Sequence, residues 1–535
     1  MKTFKTLLLA SVAALFVFAA CKNSGTSVNK VAQEKLTTHQ KVTPVLIGKE
    51  RNPVLRVQLS VDENNTPKTV KSLKITTEGT TEIENLKSVE VLYAPADTGF
   101  EEAIHFGGIK NIQEEMIIEG NQLLGTGLNN FWVSYELNDD TDLLNVVDAG
   151  LEEITFNNGT RWSPEEASPG ITKKVGIALR QGGDNGVDTY RIPGLVTTNE
   201  RTLIAAYDIR YDNSSDLQGD IDVGINRSID GGESWEPMQI IMDMKEWGGL
   251  PEEQNGIGDP SILVDRETGT IWVAALWTHG MPGKRAWNAS GPGLEPKETG
   301  QFMLTKSEDD GKTWSDPINI TKQIKDPAWT LLLQGPGKGI SMTDGTLVFP
   351  AQFKNEEGMP YATIIYSQDH GETWQIGTGA KSNTTEAQVV ELSDGSLMLN
   401  MRDNRGGVRS VYTTNNLGES WEKHPTSRSA LVEPVCMASL IEFPYLEGES
   451  GKHCLLFSNP NSTEAREKMT IKMSKDDGMS WPDDKQLLLN ENQGFGYSCM
   501  TAVDEQTVGI LYEGVRDLYF QKVTLDELQA EGLKN

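Results

Sequence analysis

Two arginines stand directly after apolar stretches of the chain. Arg210 follows residues 202–207 and Arg402 follows residues 396–400, and both stretches are typical of strands covered on both faces. A planar guanidinium can donate two parallel hydrogen bonds to a carboxylate, and its charge does not titrate away. If the strands are equivalent members of repeated units, they end on the same side of the molecule. The sequence therefore predicts that both arginines face one pocket, which suits an anionic ligand.

An anionic ligand would need such a local cluster of arginines, because the protein as a whole is strongly acidic. The 535 residues include 48 Lys and Arg against 77 Asp and Glu, a formal charge of −29 at pH 7. A body this acidic repels anionic ligands at long range. No basic run is long enough to indicate nucleic-acid binding.

Metal ions and cofactors are not expected. The six histidines are scattered, and no cysteine pair has the Cys-x-x-Cys spacing of a metal site. No redox or nucleotide cofactor is predicted either. Besides Cys21, three cysteines remain, an odd number that favours buried, unpaired thiols. These are Cys436, Cys454 and Cys499.

A short turn motif recurs five times and shows how the pocket is positioned. The copies span residues 228–235, 307–314, 367–374, 414–421 and 474–481, with starts 79, 60, 47 and 60 residues apart. Each has an Asp or Asn that can bond nearby backbone, a Gly that can take a positive φ, and a Trp that can pin the turn. Repeated strand-turn-strand units of this kind predict a β-propeller. The motif indicates architecture rather than chemistry.

The first 21 residues are interpreted as a targeting segment. Lys2 and Lys5 precede an apolar stretch, and two alanines precede Cys21. This ending resembles the lipobox of bacterial lipoproteins, in which the cysteine is lipidated; an ordinary cleaved signal is the alternative. The resemblance implies an exported bacterial lipoprotein held at a membrane by its N-terminal lipid. It would lie in the periplasm or at the outer membrane and cell surface.

The remaining chain is predicted to be all-β. Residues 22–50 are polar and read as a tether. Short alternating segments between turns predict a small β-sandwich over residues 51–165. A Pro- and Ser-containing stretch over 162–170 is the expected hinge. Residues 171–535 are assigned to a six-bladed propeller whose sixth blade lacks the turn motif.

Residues 190–195, Tyr-Arg-Ile-Pro-Gly-Leu, stand before the first turn motif. Together with the repeated turns, this Arg-Ile-Pro element closely resembles the sialidases (neuraminidases), the exo-acting enzymes that remove terminal sialic acid. The resemblance covers about residues 171–523. It implies an exo-α-sialidase acting on sialylated oligosaccharides, glycoproteins or glycolipids. The N-terminal region resembles the small β domains that precede some bacterial sialidases, which implies a glycan-binding or spacer role.

The resemblance implies a set of arginines for the sialic acid carboxylate. Three matching positions form the clamp: Arg191, Arg402 and Arg466. The match around Arg466 is short, and Arg405 and Arg409 are alternatives to it. Arg210 resembles a fourth arginine that lies beside the substrate's carboxylate.

The resemblance also implies an aspartate as acid and base on a flexible loop. Asp216, six residues after Arg210, fits that position. Nearby acidic residues remain alternatives, and they are Asp212, Asp220 and Asp222.

The nucleophile implied by the resemblance is Tyr497, with Glu386 as its base. Sialic acid carries a carboxylate on its anomeric carbon, so a phenol avoids the repulsion that an attacking carboxylate would meet. Sialidases with a tyrosine nucleophile are a known exception to the two-carboxylate scheme, so this assignment comes from the family and not from spacing. Glu391 competes with Glu386, while Tyr512 and Tyr519 are other late tyrosines. Glu513 resembles the residue that steadies the first arginine.

The implied reaction has two steps and retains configuration. Asp216 protonates the leaving oxygen while Tyr497 attacks, and water then releases the sugar with Asp216 as base. Two further functions share parts of this set: a propeller that binds sialoglycans without cleaving them, and a trans-sialidase or intramolecular trans-sialidase.

Overall fold

The computed structural model describes residues 35–62, 68–95, 98–217, 219–278, 284–445 and 452–530. Over these ranges the protein is all-β, with a few short helices. The targeting segment, Cys21 and the first part of the predicted tether lie outside the described residues. No helix within the described ranges is both long and apolar enough to span a membrane.

The first region carries strands arranged mainly in two sheets. Its strands are β1 (Lys35–His39), β2 (Val45–Ile47), β3 (Asn52–Val61), β4 (Thr69–Thr76), β5 (Leu86–Pro95), β6 (Ile104–Ile109), β7 (Glu115–Leu123), β8 (Gly127–Leu137), β9 (Val146–Val147), β10 (Gly150–Phe156) and β11 (Arg161–Trp162). One sheet has the order β1-β3-β8-β5-β6 and the other β11-β10-β4-β7. Alternate side chains of both sheets, such as Leu59 and Leu73, meet in one apolar core.

The second region begins with these strands: β12 (Lys173–Arg180), β13 (Thr189–Thr197), β14 (Leu203–Arg210), β15 (Ile221–Ser228), β16 (Gln239–Met242), β17 (Ile257–Val264), β18 (Ile271–Trp277), β19 (Gln301–Ser307), β20 (Ile318–Asn319), β21 (Leu331–Gln334), β22 (Gly337–Lys338), β23 (Ile340–Ser341), β24 (Leu347–Lys354), β25 (Pro360–Ser367), β26 (Gln375–Ile376) and β27 (Lys381–Ser382). It continues with β28 (Thr384–Glu391), β29 (Leu397–Asp403), β30 (Gly407–Val408), β31 (Ser410–Thr414), β32 (Glu422–Lys423), β33 (Val432–Glu433), β34 (Ser439–Tyr445), β35 (Lys452–Pro460), β36 (Met469–Ser474), β37 (Gln486–Asn490), β38 (Ser498–Ala502), β39 (Thr507–Glu513) and β40 (Leu518–Thr524). The α-helices are α1 (Ala286–Ala289), α2 (Thr321–Ile324) and α3 (Leu525–Gln529).

Most of these strands form six sheets that follow one another along the chain. Their orders are β13-β14-β15-β16, β20-β19-β18-β17-β22, β21-β24-β25-β26, β28-β29-β31-β32, β34-β35-β36-β37 and β2-β12-β40-β39-β38. The last sheet joins the end of the chain to its earlier part, because β12 pairs antiparallel with β40. Strands of successive sheets contact each other, and β38 of the last sheet contacts β13 of the first.

The predicted tether over residues 22–50 differs from the structure in its described part. β1 pairs antiparallel with β3, and β2 pairs in parallel with β12. The physical reason is a short apolar run that the polar surroundings obscure: Val45, Leu46 and Ile47 are all buried. This segment therefore belongs to the folded body and connects the two regions.

The five turn motifs each join the third and fourth strands of a sheet, and the second copy shows their bonding. The Asp309 carboxylate accepts from the Thr313 backbone N–H at 2.8 Å and from the Thr313 hydroxyl at 2.6 Å. The Ser307 hydroxyl accepts from the Gly311 N–H at 2.9 Å. All these partners lie within the motif itself, so each turn is a local unit.

The last sheet lacks the motif for a topological reason. Its third strand, β40, leads into α3, while its fourth strand, β12, comes from the start of the region. No turn can connect two strands that lie so far apart in the chain.

Each turn also packs on the preceding sheet. A Cβ at Gly371 would lie 2.4 Å from the Trp272 ring, and one at Gly232 would lie 2.3 Å from the Phe520 ring. Gly371 has φ +90° and Gly232 has φ +93°, so both positions need glycine for conformation as well as for space. The Gly232 contact joins the first sheet to the last.

Candidate active site

The first strand of several sheets is interrupted at one point, and the interruptions carry the polar side chains of the site. In β13 the register shifts between Arg191 and Gly194, and Ile192 has a positive φ of 58°. β17 shows the same shift around Asp259, whose φ is 57°, and β28 is shifted at Glu386. A proline inside a strand cannot donate to the ladder, which favours such bulges in β13 and β17.

These side chains line a cavity of about 610 Å³. The lining brings together most of the residues that the sequence singled out: Arg191, Asp216, Glu386, Arg402, Arg466 and Tyr497. They come from segments separated by hundreds of residues. A volume of this size accommodates a small-molecule ligand such as a sugar.

Tyr497 and Glu386 form the innermost polar contact. The Tyr497 hydroxyl donates to Glu386 Oε1. Arg402 Nη1 donates to Glu386 Oε2 at 2.6 Å and to the Tyr497 oxygen at 3.1 Å. The phenol thus lies between a carboxylate that can take its proton and a guanidinium that can stabilise its anion.

The environment keeps this phenol protonated. Burial raises the pKa of Tyr497 well above its usual value, and the Glu386 charge raises it further. Arg402 and Arg466 act in the opposite direction, because positive charge favours the phenolate. Neutralising Glu386 would therefore make the tyrosine easier to ionise.

Glu513 supports two of these residues from below. Its Oε1 accepts from Arg191 Nε at 3.1 Å and from the Ile192 N–H at 2.9 Å, while its Oε2 accepts from the Tyr497 N–H at 2.9 Å. The Glu513 side chain is fully buried. One carboxylate therefore positions both Arg191 and the backbone of Tyr497, where the sequence predicted only the first contact.

Asp216 lies at the opening of the cavity. Its Oδ1 pairs with Arg191 Nη1 at 3.1 Å and with Arg210 Nη1 at 3.0 Å, and its Oδ2 is 3.6 Å from Arg285 Nη1. Burial would raise the pKa of Asp216, but the surrounding guanidiniums hold it below its usual value. Asp216 is therefore an anion in this arrangement.

Arg210 is buried behind the lining. Its Nε and Nη2 donate to Asp208 Oδ2 at 3.1 and 2.8 Å, and its Nη1 reaches the Ser214 carbonyl at 2.8 Å. These bonds fix the guanidinium that holds Asp216. Within the described structure, Arg210 touches the site through Asp216 rather than lining the cavity directly.

Arg466 lines the cavity, whereas Arg405 and Arg409 do not. Arg466 Nη1 donates to the Phe495 carbonyl at 2.9 Å, and its guanidinium lies 5.6 Å from the Tyr497 ring centre. Arg409 is buried in an ion pair with Glu433 at 2.9 Å. Arg405 pairs instead with Asp403 at 3.0 Å.

Six more acidic residues and tyrosines that compete for catalytic roles in the sequence also lie outside the cavity lining. They are Asp212, Asp220, Asp222, Glu391, Tyr512 and Tyr519. Glu391 accepts from Thr343, and the Tyr512 hydroxyl donates to Gln521 in the core. The cavity therefore contains one of the predicted tyrosines.

Sequence reasoning missed several lining residues, among them Asp259, Arg285, Trp287 and Gln352. Asp259 is half-buried, and its removal from water, followed by the nearby Asp208 charge, raises its pKa well above the usual value. A signal for it exists in the sequence, because Asp259 directly precedes Pro260 just as Ile192 of the Arg-Ile-Pro element precedes Pro193. Arg285 stands directly before α1 and Trp287 lies within it, in a segment with no such pattern.

Two further predictions concern thiols and metals. Cys436, Cys454 and Cys499 are buried and unpaired, which confirms the prediction. Within the described ranges no group of His, Cys, Asp and Glu side chains could hold a metal ion.

Two protein families match the chain. Residues 202–510 match the family described as BNR repeat-like domain. Residues 33–160 match the N-terminal domain of BNR-repeat neuraminidase. The two matches together span both regions of the fold.

The chain is similar in sequence and in structure to several proteins named sialidase. A sialidase of Bacteroides fragilis is 49% identical over 421 residues, which cover 78% of this chain and 77% of the relative. A sialidase of Micromonospora viridifaciens is 34% identical over 364 residues, covering 66% of this chain and 54% of that longer protein. The solved structure of Hadza microbial sialidase Hz136 matches with a TM-score of 0.86 and 44% identity, over 91% of this chain and 99% of that one.

Proposed function

The chain belongs to the family of BNR-repeat neuraminidases, or sialidases, and we propose that it works through a tyrosine nucleophile. It is an exo-α-sialidase, a glycoside hydrolase that releases terminal sialic acid from glycoconjugates. The observation that carries the proposed mechanism is the contact among Tyr497, Glu386 and Arg402 inside a cavity lined by arginines. A binding protein would need the arginines, but it would have no use for a phenol paired with a base.

Substrate binding is proposed to begin with an exchange of carboxylates. Asp216 pairs with Arg191, which also faces the cavity. A sialic acid carboxylate entering among Arg191, Arg402 and Arg466 would displace Asp216 from Arg191 and neutralise part of the positive charge around it. Losing that charge raises the pKa of Asp216. Binding would thus prepare Asp216 to carry a proton.

Bond cleavage then uses both sides of the sugar. Asp216 donates its proton to the leaving glycosidic oxygen, and that oxygen departs with the bonding electrons. Tyr497 passes its proton to Glu386 and bonds to the anomeric carbon. Arg402 stabilises the charge that develops on the phenol oxygen, 3.1 Å away.

The second step hydrolyses the covalent intermediate and regenerates free Tyr497. Water, deprotonated by Asp216, attacks the anomeric carbon, and the Tyr497 oxygen leaves and recovers its proton from Glu386. Two displacements at one carbon retain the configuration. Free sialic acid is the product.

The test is release of sialic acid from 3′-sialyllactose by the wild-type protein and by Tyr497→Phe. The variant keeps the ring and should lose about 10³-fold or more in kcat, since no covalent intermediate can form. Tyr512→Phe is the matched control, because Tyr512 is a buried tyrosine outside the cavity, and its activity should persist. Full activity in folded Tyr497→Phe would refute the nucleophile. An anhydro sugar or a sialylated acceptor as product would identify a transferase instead.

For the architecture, we propose a six-bladed propeller preceded by a β-sandwich. Six sheets that contact one another in order, with the last contacting the first, support a closed ring. The packing of the Gly232 turn on Phe520 supports the same closure. A crystal structure in which the first and last sheets are apart would contradict it.

For localisation, the proposal is an exported lipoprotein anchored through Cys21, on the basis of the targeting segment alone. Cys21→Ser should shift the protein from the membrane fraction to the soluble fraction and abolish incorporation of labelled palmitate.

For residues 51–165, a weak glycan-binding or spacer role is proposed. The test is to titrate the full-length Tyr497→Phe variant with galactose-terminated oligosaccharides. If no binding is seen, the glycan-binding role is excluded and the spacer role remains.

A further inference from the structure

Arg285 lies at the rim of the cavity and has no role in the mechanism above. Its side chain is 64% exposed, and its Nη1 is 3.6 Å from Asp216 Oδ2. Among the described residues, Asp216 is the one acidic side chain that forms an ion pair with Arg285. Lys284 beside it is also exposed, so two positive charges stand at this edge of an otherwise acidic protein.

The position of Arg285 relative to Asp216 identifies which part of a substrate it would meet. Asp216 Oδ1 faces inward, toward Arg191 and Arg210, and Oδ2 faces Arg285 at the rim. A general acid must touch the leaving oxygen, so the group bonded to that oxygen begins next to Asp216. The inner side holds the sialic acid, and the leaving group therefore emerges toward Arg285.

Protonation of Asp216 leaves Arg285 without its partner. Once Asp216 carries the proton for the leaving group, its negative charge is gone, and the Arg285 guanidinium faces the emerging aglycone alone. The other carboxylates in the cavity lining are Asp259 and Glu386, and in the described structure neither forms an ion pair with Arg285. An anionic group on the aglycone would then replace Asp216 as the partner of Arg285.

We propose that Arg285 recognises a second negative charge on the aglycone, so that the preferred substrates are sialosides whose next sugar also carries an anionic group. An α2,8-linked disialyl unit has this chemistry, because its inner sugar bears a carboxylate of its own. Trp287, two residues further on, also lines the cavity and offers a half-buried ring for the same sugar. This inference rests on the proposed function of the site.

The size of the effect follows from exposure. The formal charge of −29 disfavours a dianionic substrate at long range. An exposed ion pair adds about twofold to fivefold in affinity. The Arg285 contribution should weaken as salt is added, since exposed charges are screened.

The experiment uses two compounds that differ by one charge: α2,8-linked disialyllactose, and the same compound with its inner carboxylate converted to an amide. Their kcat/KM values are compared for wild type, Arg285→Gln and Arg161→Gln. Arg161 is the matched control, because it is 69% exposed and lies 3.6 Å from Glu153, in the first region of the fold. Wild type and Arg161→Gln should prefer the acid by about threefold, and Arg285→Gln should show no preference.

Several outcomes overturn the inference. If wild type cleaves the acid and the amide with equal kcat/KM, recognition of the second charge is excluded. It is also excluded as a role of Arg285 if Arg285→Gln still prefers the acid. An equal loss on both compounds in Arg285→Gln shows that Arg285 acts only through Asp216. Failure to cleave even 3′-sialyllactose would count against the proposed function instead. Binding of the two compounds to Tyr497→Phe, with and without Arg285→Gln, then still tests the charge preference.

Discussion

The turn motifs and the cavity use the same kinds of side chain in opposite ways. The Asp309 carboxylate bonds to Thr313, four residues away. The Glu513 carboxylate bonds to Arg191, 322 residues away, and the Tyr497 hydroxyl bonds to Glu386, 111 residues away. A carboxylate satisfied by its own turn stabilises local structure. A carboxylate whose partners come from other sheets positions groups that face a ligand.

The comparison explains why one region repeats and the other does not. A local turn needs the same residues wherever it occurs, so five copies look alike. The first strands of several sheets reach one cavity and contribute different groups, such as Arg191, Asp259 and Glu386. Repetition therefore marks structure in this chain, and departures from repetition mark function.

The largest expected effect comes from a carboxylate of the cavity that reaches the substrate. Asp216→Asn removes the proposed acid, so kcat/KM on 3′-sialyllactose should fall about 10²- to 10⁴-fold. An aryl sialoside with an acidic phenol as leaving group needs little protonation and should lose far less. Steady-state kinetics on both substrates measure this difference. Equal losses on the two would argue against Asp216 as the acid.

A smaller effect is expected when a buried ion pair of the site is broken, and it can be compared with the effect of breaking a buried ion pair outside the site. Glu513→Gln should lower the free energy of unfolding by about 3 kcal/mol, because Arg191 loses a buried partner, and should also raise KM. Glu433→Gln is the control, since Glu433 pairs with buried Arg409 and neither residue lines the cavity. It should cost similar stability, measured by urea denaturation, with KM unchanged. A normal KM for folded Glu513→Gln would show that Glu513 serves stability alone.

The smallest effect is expected in a turn motif. Asp309→Asn should cost less than about 1 kcal/mol and leave kcat unchanged, because the fourth motif already uses Asn416, which accepts from the Ser420 N–H at 3.1 Å. Hydrogen bonds from Thr313 lower the pKa of Asp309 from 3.8 to about 2. A lowered pKa stabilises the fold above pH 3.8, and this contribution is lost as the pH falls toward 2.

The measurement for that turn is thermal unfolding of wild type and Asp309→Asn at pH 7 and again as the pH is lowered. The difference between the two proteins should shrink below pH 3.8, since protonated Asp309 no longer gains from its hydrogen bonds. A difference that grows on acidification would assign the stabilisation to another group.

Prediction from the sequence succeeded where the signal was local or where a family resemblance supplied it. The all-β class followed from the repeated turns, and the buried, unpaired cysteines followed from their odd number. The cavity also brings together Arg191, Glu386, Arg402 and Tyr497, which the resemblance had singled out, and their roles in catalysis stay predictions. The pairing of residues 35–50 with distant strands was missed, because a three-residue apolar run gives no period to read.

Other features of the site could not be read from the sequence at all. Asp216 has Arg191, Arg210 and Arg285 around it, and only the fold brings these three together. Glu513 bonds to the backbone of Tyr497 as well as to Arg191, and the Tyr497 contact depends on the pairing of β38 with β39.

The sequence by itself determined the secondary structure, the turns and the kinds of group available, because turn conformation and strand burial depend on neighbours a few residues away. The tertiary structure decided which charges meet: Glu386 with Arg402, and Asp216 with three guanidiniums, of which Arg285 lies at the rim of the cavity. The physical reason is that ion pairing and pKa depend on distances through space, and these are set by how the sheets pack, not by positions along the chain.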